Sequence, residues 1–235
     1  MADLATKTTP IVPLDVPTGV DALELVEYLG DTCRFYKVGN ELFTAAGPAI
    51  VNELRHRGKD VFLDLKFHDI PNTVAGGVRN AVALGARLVT VHATGGLPML
   101  KAAVEAAAGT KCGILAVTVL TSMSGEDVQG AWGRREELDL SAEVMRLADL
   151  ALQAGAHGIV CSGREAAMVR EQFGDQLAIL VPGVRAAGGA TQDQVRVVTP
   201  QQAMAAGARY IIAGRMITAA EDRRAAMRRL LAELE

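Results

Sequence analysis

The sequence predicts an α/β fold, a single (β/α)8 TIM barrel, from three observations. Eight strand-like runs alternate with eight helix-like runs along 235 residues. The strand-like runs are short, unbroken and rich in branched apolar residues, as parallel strands buried on both faces must be. The length is also close to the roughly 250 residues such a barrel needs. An open doubly wound sheet is the alternative, but no G-x-G-x-x-G follows the first strand. With 50% hydrophobic residues the chain can fill one core. Residues 1–235 therefore read as one domain, with 1–10 a short, loose and polar N-terminal segment.

The elements follow in order. Ile11–Val16 is the first strand and Val20–Leu29 its helix. Phe35–Val38 is the second, and Glu41–Arg57 carries the chain back to Gly58, a left-handed helix end. Val61–Lys66 is the third; a loop ending at Pro71 leads into Thr73–Leu84, which Gly85 stops. Leu88–His92 and Leu97–Ala108 form the fourth unit. Gly113–Val119 is the fifth strand. The polar stretch Ser122–Asp139, which contains Trp132, then reads as a long loop before the helix Ser141–Ala154 and Gly155. Gly158–Cys161 pairs with Arg164–Glu171, and Ala178–Val181 with Pro200–Ala206, closed by Gly207. Tyr210–Ala213 is the eighth strand. The last helix, Ala219–Leu234, has the amphipathic pattern of an outer face.

Composition excludes several functions. A net charge of −3 offers no basic surface for nucleic acid or an anionic membrane. No apolar run is long enough for a bilayer, and the N-terminus lacks a signal peptide's apolar centre, so a cytoplasmic protein is expected. Cys33, Cys112 and Cys161 are odd in number, far apart and without C-x-x-C, so they read as small buried apolar residues. His92 has no second His or Cys at ligand spacing and reads as a strand-end hydrogen bonder, so no metal is expected. His68 is expected to order the loop that follows it; His56 and His157 need no role.

Chemistry concentrates in Asp64-Leu-Lys-Phe-His-Asp-Ile-Pro-Asn-Thr73. Side chains alternate along a strand, so Asp64 and Lys66 share a face, about 6.6 Å apart. Asp69 follows where the strand gives way to a loop. Barrel enzymes act at the C-terminal ends of their strands. There the chain places Asp15, Lys37, Asp64, Lys66, His92, Leu120-Thr121-Ser122, Pro182-Gly-Val-Arg185 and Gly214-Arg215. Ionised groups inside a barrel must pair, which predicts an Asp15–Lys37–Asp64–Lys66 network. Gly183, Gly188, Gly189, Gly214 and Arg215 surround the loops after strands seven and eight, where such barrels bind phosphate; the planar fork of Arg suits two oxygens.

The decapeptide resembles the signature of the orotidine 5′-phosphate decarboxylase family. The likeness extends over the chain through Leu14-Asp15-Val16, Lys37-Val38-Gly39, Leu120-Thr121-Ser122, Asp193-Gln194, Val198-Thr199-Pro200 and Gly214-Arg215. A bare D-x-K-x-x-D is shared with sugar-phosphate lyases, some metal-dependent; the extension through Phe67–Thr73 is the more specific part. The resemblance implies conversion of orotidine 5′-phosphate to UMP with no cofactor or metal. It implies Lys66 as proton donor, with Asp64, Lys37 and Asp69 completing the charged array. It implies a homodimer in which Asp69 and Thr73 reach the neighbouring site. Asp15 and Lys37 would contact ribose, and Ile70, Thr121 and Pro182 would help bind substrate. Gln194 would bridge base and phosphate, and Gly214, Arg215 and Arg185 would hold phosphate. In this chain Val181 joins Pro182 directly, where the family often has an intervening residue.

Overall fold

The computed structural model describes residues 7–133, 138–185 and 198–235. Its strands are β1 (Thr9–Pro13), β2 (Phe35–Gly39), β3 (Asp60–Phe67), β4 (Leu88–His92), β5 (Gly113–Val117), β6 (Gly158–Val160), β7 (Ala178–Val181) and β8 (Tyr210–Ile212). All pair in parallel in sequence order, and β8 closes on β1. The helices are α1 (Gly19–Leu29), α2 (Asn40–Ala46), α3 (Ala49–His56), α4 (Pro71–Ala83), α5 (Gly96–Ala107), α6 (Gly125–Trp132), α7 (Leu140–Gln153), α8 (Gly163–Phe173), α9 (Pro200–Ala205), α10 (Arg215–Thr218) and α11 (Arg223–Glu233). The predicted (β/α)8 barrel is therefore the fold, and an open sheet is excluded.

Four expectations change in detail. The segment 1–10 is not loose at its end: Thr9 and Pro10 belong to β1 and pair with Tyr210 and Ile211. Thr8 is buried and donates its hydroxyl to the Ala208 carbonyl at 2.7 Å. Closing the barrel requires β1 to reach the start of β8, so the strand begins before the apolar run. The helix expected over Glu41–Arg57 is two, broken at Gly47 (φ 62°) and Pro48, whose ring removes an N–H donor. The stretch expected as a loop contains α6, capped by reciprocal hydrogen bonds between Ser124 and Asp127. The last helix starts at Arg223 behind an Asp222 cap, and the short α10 precedes it. Gly58, Gly85, Gly155 and Gly207 all have positive φ, as the helix-end reading requires.

Two apolar shells hold the fold. Outward residues such as Val12, Val38, Leu63, Val89 and Ile159 pack under the helices. Inward residues Ile11, Phe35, Phe62, Leu88, Leu115, Val117, Val160, Leu180, Tyr210 and Ile212 fill the barrel axis. Each large side chain in such a plug contributes about 1.5–3 kcal/mol by leaving water. One inward position further along the same strands come Lys37, Asp64 and Thr90, so polar groups sit on an apolar floor.

The β3–β4 ladder is irregular at this level. Leu63 pairs with Val89, and the next pair is Phe67 with Val91. Thr90 alone therefore spans the β4 side opposite Asp64–Lys66. Within this bulge Lys66 has φ 51°, the one non-glycine residue with positive φ among the described residues.

Candidate active site

A cavity of about 710 Å³ opens at the C-terminal ends of the strands. Phe62, Val117, Val160, Leu180 and Ile212 form its apolar floor. Its lining carries four cations, Lys37, Lys66, Arg185 and Arg215, against two carboxylates, Asp15 and Asp64. That excess of positive charge favours an anionic guest.

The charges form one connected array on β1–β3. Lys66 Nζ lies 2.9 Å from both Asp64 carboxylate oxygens. Lys37 Nζ donates to Asp15 Oδ1 at 2.8 Å and stands 3.8 Å from Asp64 Oδ2. Asp64 is thus the buried hub, its side chain 12% exposed, and Lys66 is the more open partner at 32%. A buried carboxylate is costly unless paired; here two ammonium groups and a hydroxyl pair it. The predicted four-residue network is present.

Two features of the array escaped the sequence reading. Thr90 Oγ1 donates to Asp64 Oδ1 at 2.9 Å and accepts from the Lys66 backbone N–H at 2.9 Å. Nothing but its place on β4 distinguishes it from other β-branched strand residues. Gly39 is the other. A Cβ there would lie 2.9 Å from Lys37 Nζ and 3.5 Å from Asp15 Oδ1. The left-handed backbone of Lys66 costs roughly 1–2 kcal/mol, which the surrounding hydrogen bonds must outweigh.

At the opposite wall, Pro182, Gly183, Arg185, Gly214 and Arg215 line the cavity, as the strand-end reading predicts. The Arg185 guanidinium donates to the Val184 carbonyl at 2.9 Å, and its backbone N–H to Val198 O at 3.0 Å. Thr121 is buried at the rim, and Leu120 and Ser122 flank it. Gln194, Gly188 and Gly189 lie outside the described residues.

Asp69, Ile70 and Thr73 are not brought into this cavity. They sit exposed around the start of α4; Asp69 Oδ1 accepts from the Ile70 N–H at 2.6 Å, and Ile70 is 67% exposed. The His68 and His92 rings lie against each other at a tilt of 35°, centroids 5.4 Å apart. Burial, then the nearby charges of His68 and Lys66, hold the His92 pKa below its ordinary value against the opposing pull of Asp64. Cys33 and Cys161 are buried, while Cys112 is only half-buried. Among the described residues, no group of three His, Cys, Asp or Glu side chains could hold a metal ion, and no helix is long and apolar enough to cross a membrane.

With this geometry in place, the comparisons with known proteins are specific. The family model described as orotidine 5′-phosphate decarboxylase / HUMPS family matches residues 8–230. The orotidine 5′-phosphate decarboxylase of Saccharophagus degradans is 45% identical over 95% of this chain and 94% of its own. That of Nitrosococcus oceani is 46% identical over 97% and 98%. The crystal structure of orotidine 5′-phosphate decarboxylase from Lactobacillus acidophilus superimposes with a TM-score of 0.86. It shares 36% identity and covers 97% of this chain and 99% of that one.

Proposed function

The chain belongs to the orotidine 5′-phosphate decarboxylase / HUMPS family, and on that premise we propose that it converts orotidine 5′-phosphate to uridine 5′-phosphate and CO2, the last step of UMP synthesis. The observation that carries this reading is the Lys66 ammonium held at 2.9 Å by Asp64 on the cavity wall, opposite Arg215. The guest suits the lining. Its phosphate lies at Gly214, Arg215, Gly183 and Arg185, where fork-like donors match its oxygens. Its ribose meets Asp15 and Lys37, and Thr121, Pro182, Ile70 and Gln194 complete the contacts to the rest of the molecule. The pyrimidine C6 then faces Lys66.

In the step itself the C6–carboxylate bond breaks and its electron pair stays on C6. The Lys66 ammonium stabilises that charge and delivers a proton to C6, leaving a neutral amine that solvent reprotonates. No cofactor is called on, because the side chains supply both charge and proton. The Lys66 amine is engaged by both Asp64 oxygens, an ion pair that opposes Schiff-base chemistry, where the amine must be free to attack. Asp64 beside the departing carboxylate adds repulsion, about 4 kcal/mol for bare charges 4 Å apart at an effective dielectric near 20. In this array the Lys66 and Lys37 ammonium groups, 2.9 and 3.8 Å from Asp64, offset part of that repulsion.

The working unit in this reading is a cytoplasmic homodimer. Asp69, Ile70 and Thr73 are exposed at the start of α4 and do not line the cavity of their own chain. Asp69 and Thr73 are, in this reading, the residues through which one protomer completes the site of its partner.

The test is to mix EDTA-treated protein with orotidine 5′-phosphate and follow the loss of ultraviolet absorbance as uridylate forms. Turnover without added metal is expected, and Lys66→Ala should abolish it while leaving a folded protein. Magnesium-dependent activity on a sugar phosphate, with indifference to orotidylate, would overturn the reading. Uridylate binding without turnover would leave a nucleotide-binding protein instead.

A further inference from the structure

We propose that Thr90 is a positioning residue for the reaction assigned above, setting through its hydroxyl the direction in which the Lys66 ammonium points. This inference rests on that reading. Thr90 is fully buried and does not line the cavity, so it acts through other residues rather than on substrate.

The hydrogen bonds close a ring. The Lys66 backbone N–H donates to Thr90 Oγ1 at 2.9 Å. The same oxygen spends its one proton on Asp64 Oδ1 at 2.9 Å. Asp64 then accepts from Lys66 Nζ, also at 2.9 Å. Lys66 is thereby gripped at its main chain and at the tip of its own side chain. The hydroxyl has given its hydrogen and received one, so no orientation other than this satisfies all three groups.

The bulge explains why a hydroxyl is needed. The β3–β4 ladder passes from Leu63–Val89 directly to Phe67–Val91. Lys66 therefore donates to a side-chain oxygen where a regular strand would use the neighbouring backbone. Lys66 also holds a left-handed conformation that its Cβ disfavours, so the N–H contact helps keep the residue there. A buried position on β4 with no such duty would serve equally well with Val, which has the same shape and strand preference. The coupling gives Thr90 a function that packing alone does not.

Thr90→Val and Thr90→Ser separate hydroxyl from volume. Steady-state kinetics with orotidine 5′-phosphate, run beside wild type, should show kcat for Thr90→Val reduced about ten- to a hundredfold, the range for deleting a hydrogen bond to a charged group. KM should move by less than about threefold, since no substrate contact is lost. Thr90→Ser should restore most of the turnover. A crystal structure of Thr90→Val should show Lys66 out of positive φ, or its ammonium withdrawn from Asp64. Wild-type kcat in Thr90→Val, or equal impairment in both variants, overturns the proposal. If wild type itself leaves orotidylate untouched, the assigned reaction fails instead, and the Thr90→Val structure alone decides whether Thr90 grips Lys66.

Discussion

Gly39→Ala should damage the site without damaging the fold. Gly39 has φ −97° and ψ −175°, a conformation alanine adopts freely, so the added methyl creates no backbone strain. What it meets is the Lys37 ammonium, 2.9 Å from the new Cβ. An unstrained carbon contact needs about 3.5 Å, so Nζ must retreat by about half an ångström. That retreat stretches its 2.8 Å bond to Asp15 and its 3.8 Å approach to Asp64. A hydrogen bond between charged groups contributes about 1.5–3 kcal/mol. Asp15 is 58% exposed, which reduces the loss to about 1–2 kcal/mol. The expected result is a fall in kcat/KM of about five- to thirtyfold. Stability should change little. Alanine restricts the unfolded chain, a gain of about 0.4–1 kcal/mol, and is a poorer residue than glycine in front of α2, a comparable loss. The assay is decarboxylation kinetics beside a thermal melt, repeated in a Lys37→Met background. There the glycine substitution should have almost no further effect, because its target is gone. Full activity in Gly39→Ala would refute the steric reasoning, as would an equal loss in the Lys37→Met background.

Three further outcomes are expected. The unfolded chain protonates His92 before the folded one does, because its folded pKa is depressed. Stability from this residue is therefore complete above about pH 6.5 and is lost as pH falls toward the depressed value; Tm curves of wild type and His92→Asn that stay parallel through this range would contradict it. Burial pushes the Cys33 thiol up and that of Cys112 to about 11, and Cys161 is buried. Native protein should react with a disulfide reagent near pH 8 far more slowly than unfolded protein, because thiolate is scarce. Arg215→Ala should lower kcat/KM for orotidine 5′-phosphate by at least about tenfold yet leave slow turnover of phosphate-free orotidine unchanged, since remote binding energy is what is lost; equal losses on both substrates would place Arg215 at the reacting ring instead.

The site was legible in the sequence where chemistry and periodicity coincided. Asp64 and Lys66 stand out as charges on an apolar strand, and period-two alternation puts them on the same side as Phe62. Lys37 and Asp15 could be placed because each ends or nearly ends a strand. Thr90 could not, because a threonine among Leu, Val, Val and His looks like strand propensity. The bulge opposite it leaves no compositional trace, since it depends on how two distant strands align. The break at Gly47-Pro48 was visible as residues, yet the helical periodicity on both sides favoured one helix. Helix α6 was obscured by its polarity: Val128 is its one buried residue, so the apolar stripe that marks longer helices such as α1 and α7 is missing. The early start of β1 belongs to barrel closure, a property of the whole ring rather than of residues 9–13.

The seam between β1 and β8 has a consequence in time. Asp15 follows β1 and Arg215 follows β8, so two paired strands bring both to the cavity although almost the whole chain separates them. A ribosome delivers the Lys37–Asp64–Lys66 array early and the Arg215 wall near the end of synthesis. Until the last strand docks, the nascent chain displays Lys66 without the wall that Gly214 and Arg215 contribute to the cavity. The cavity is completed in a single late event, the closing of the ring, rather than unit by unit as the repeats emerge.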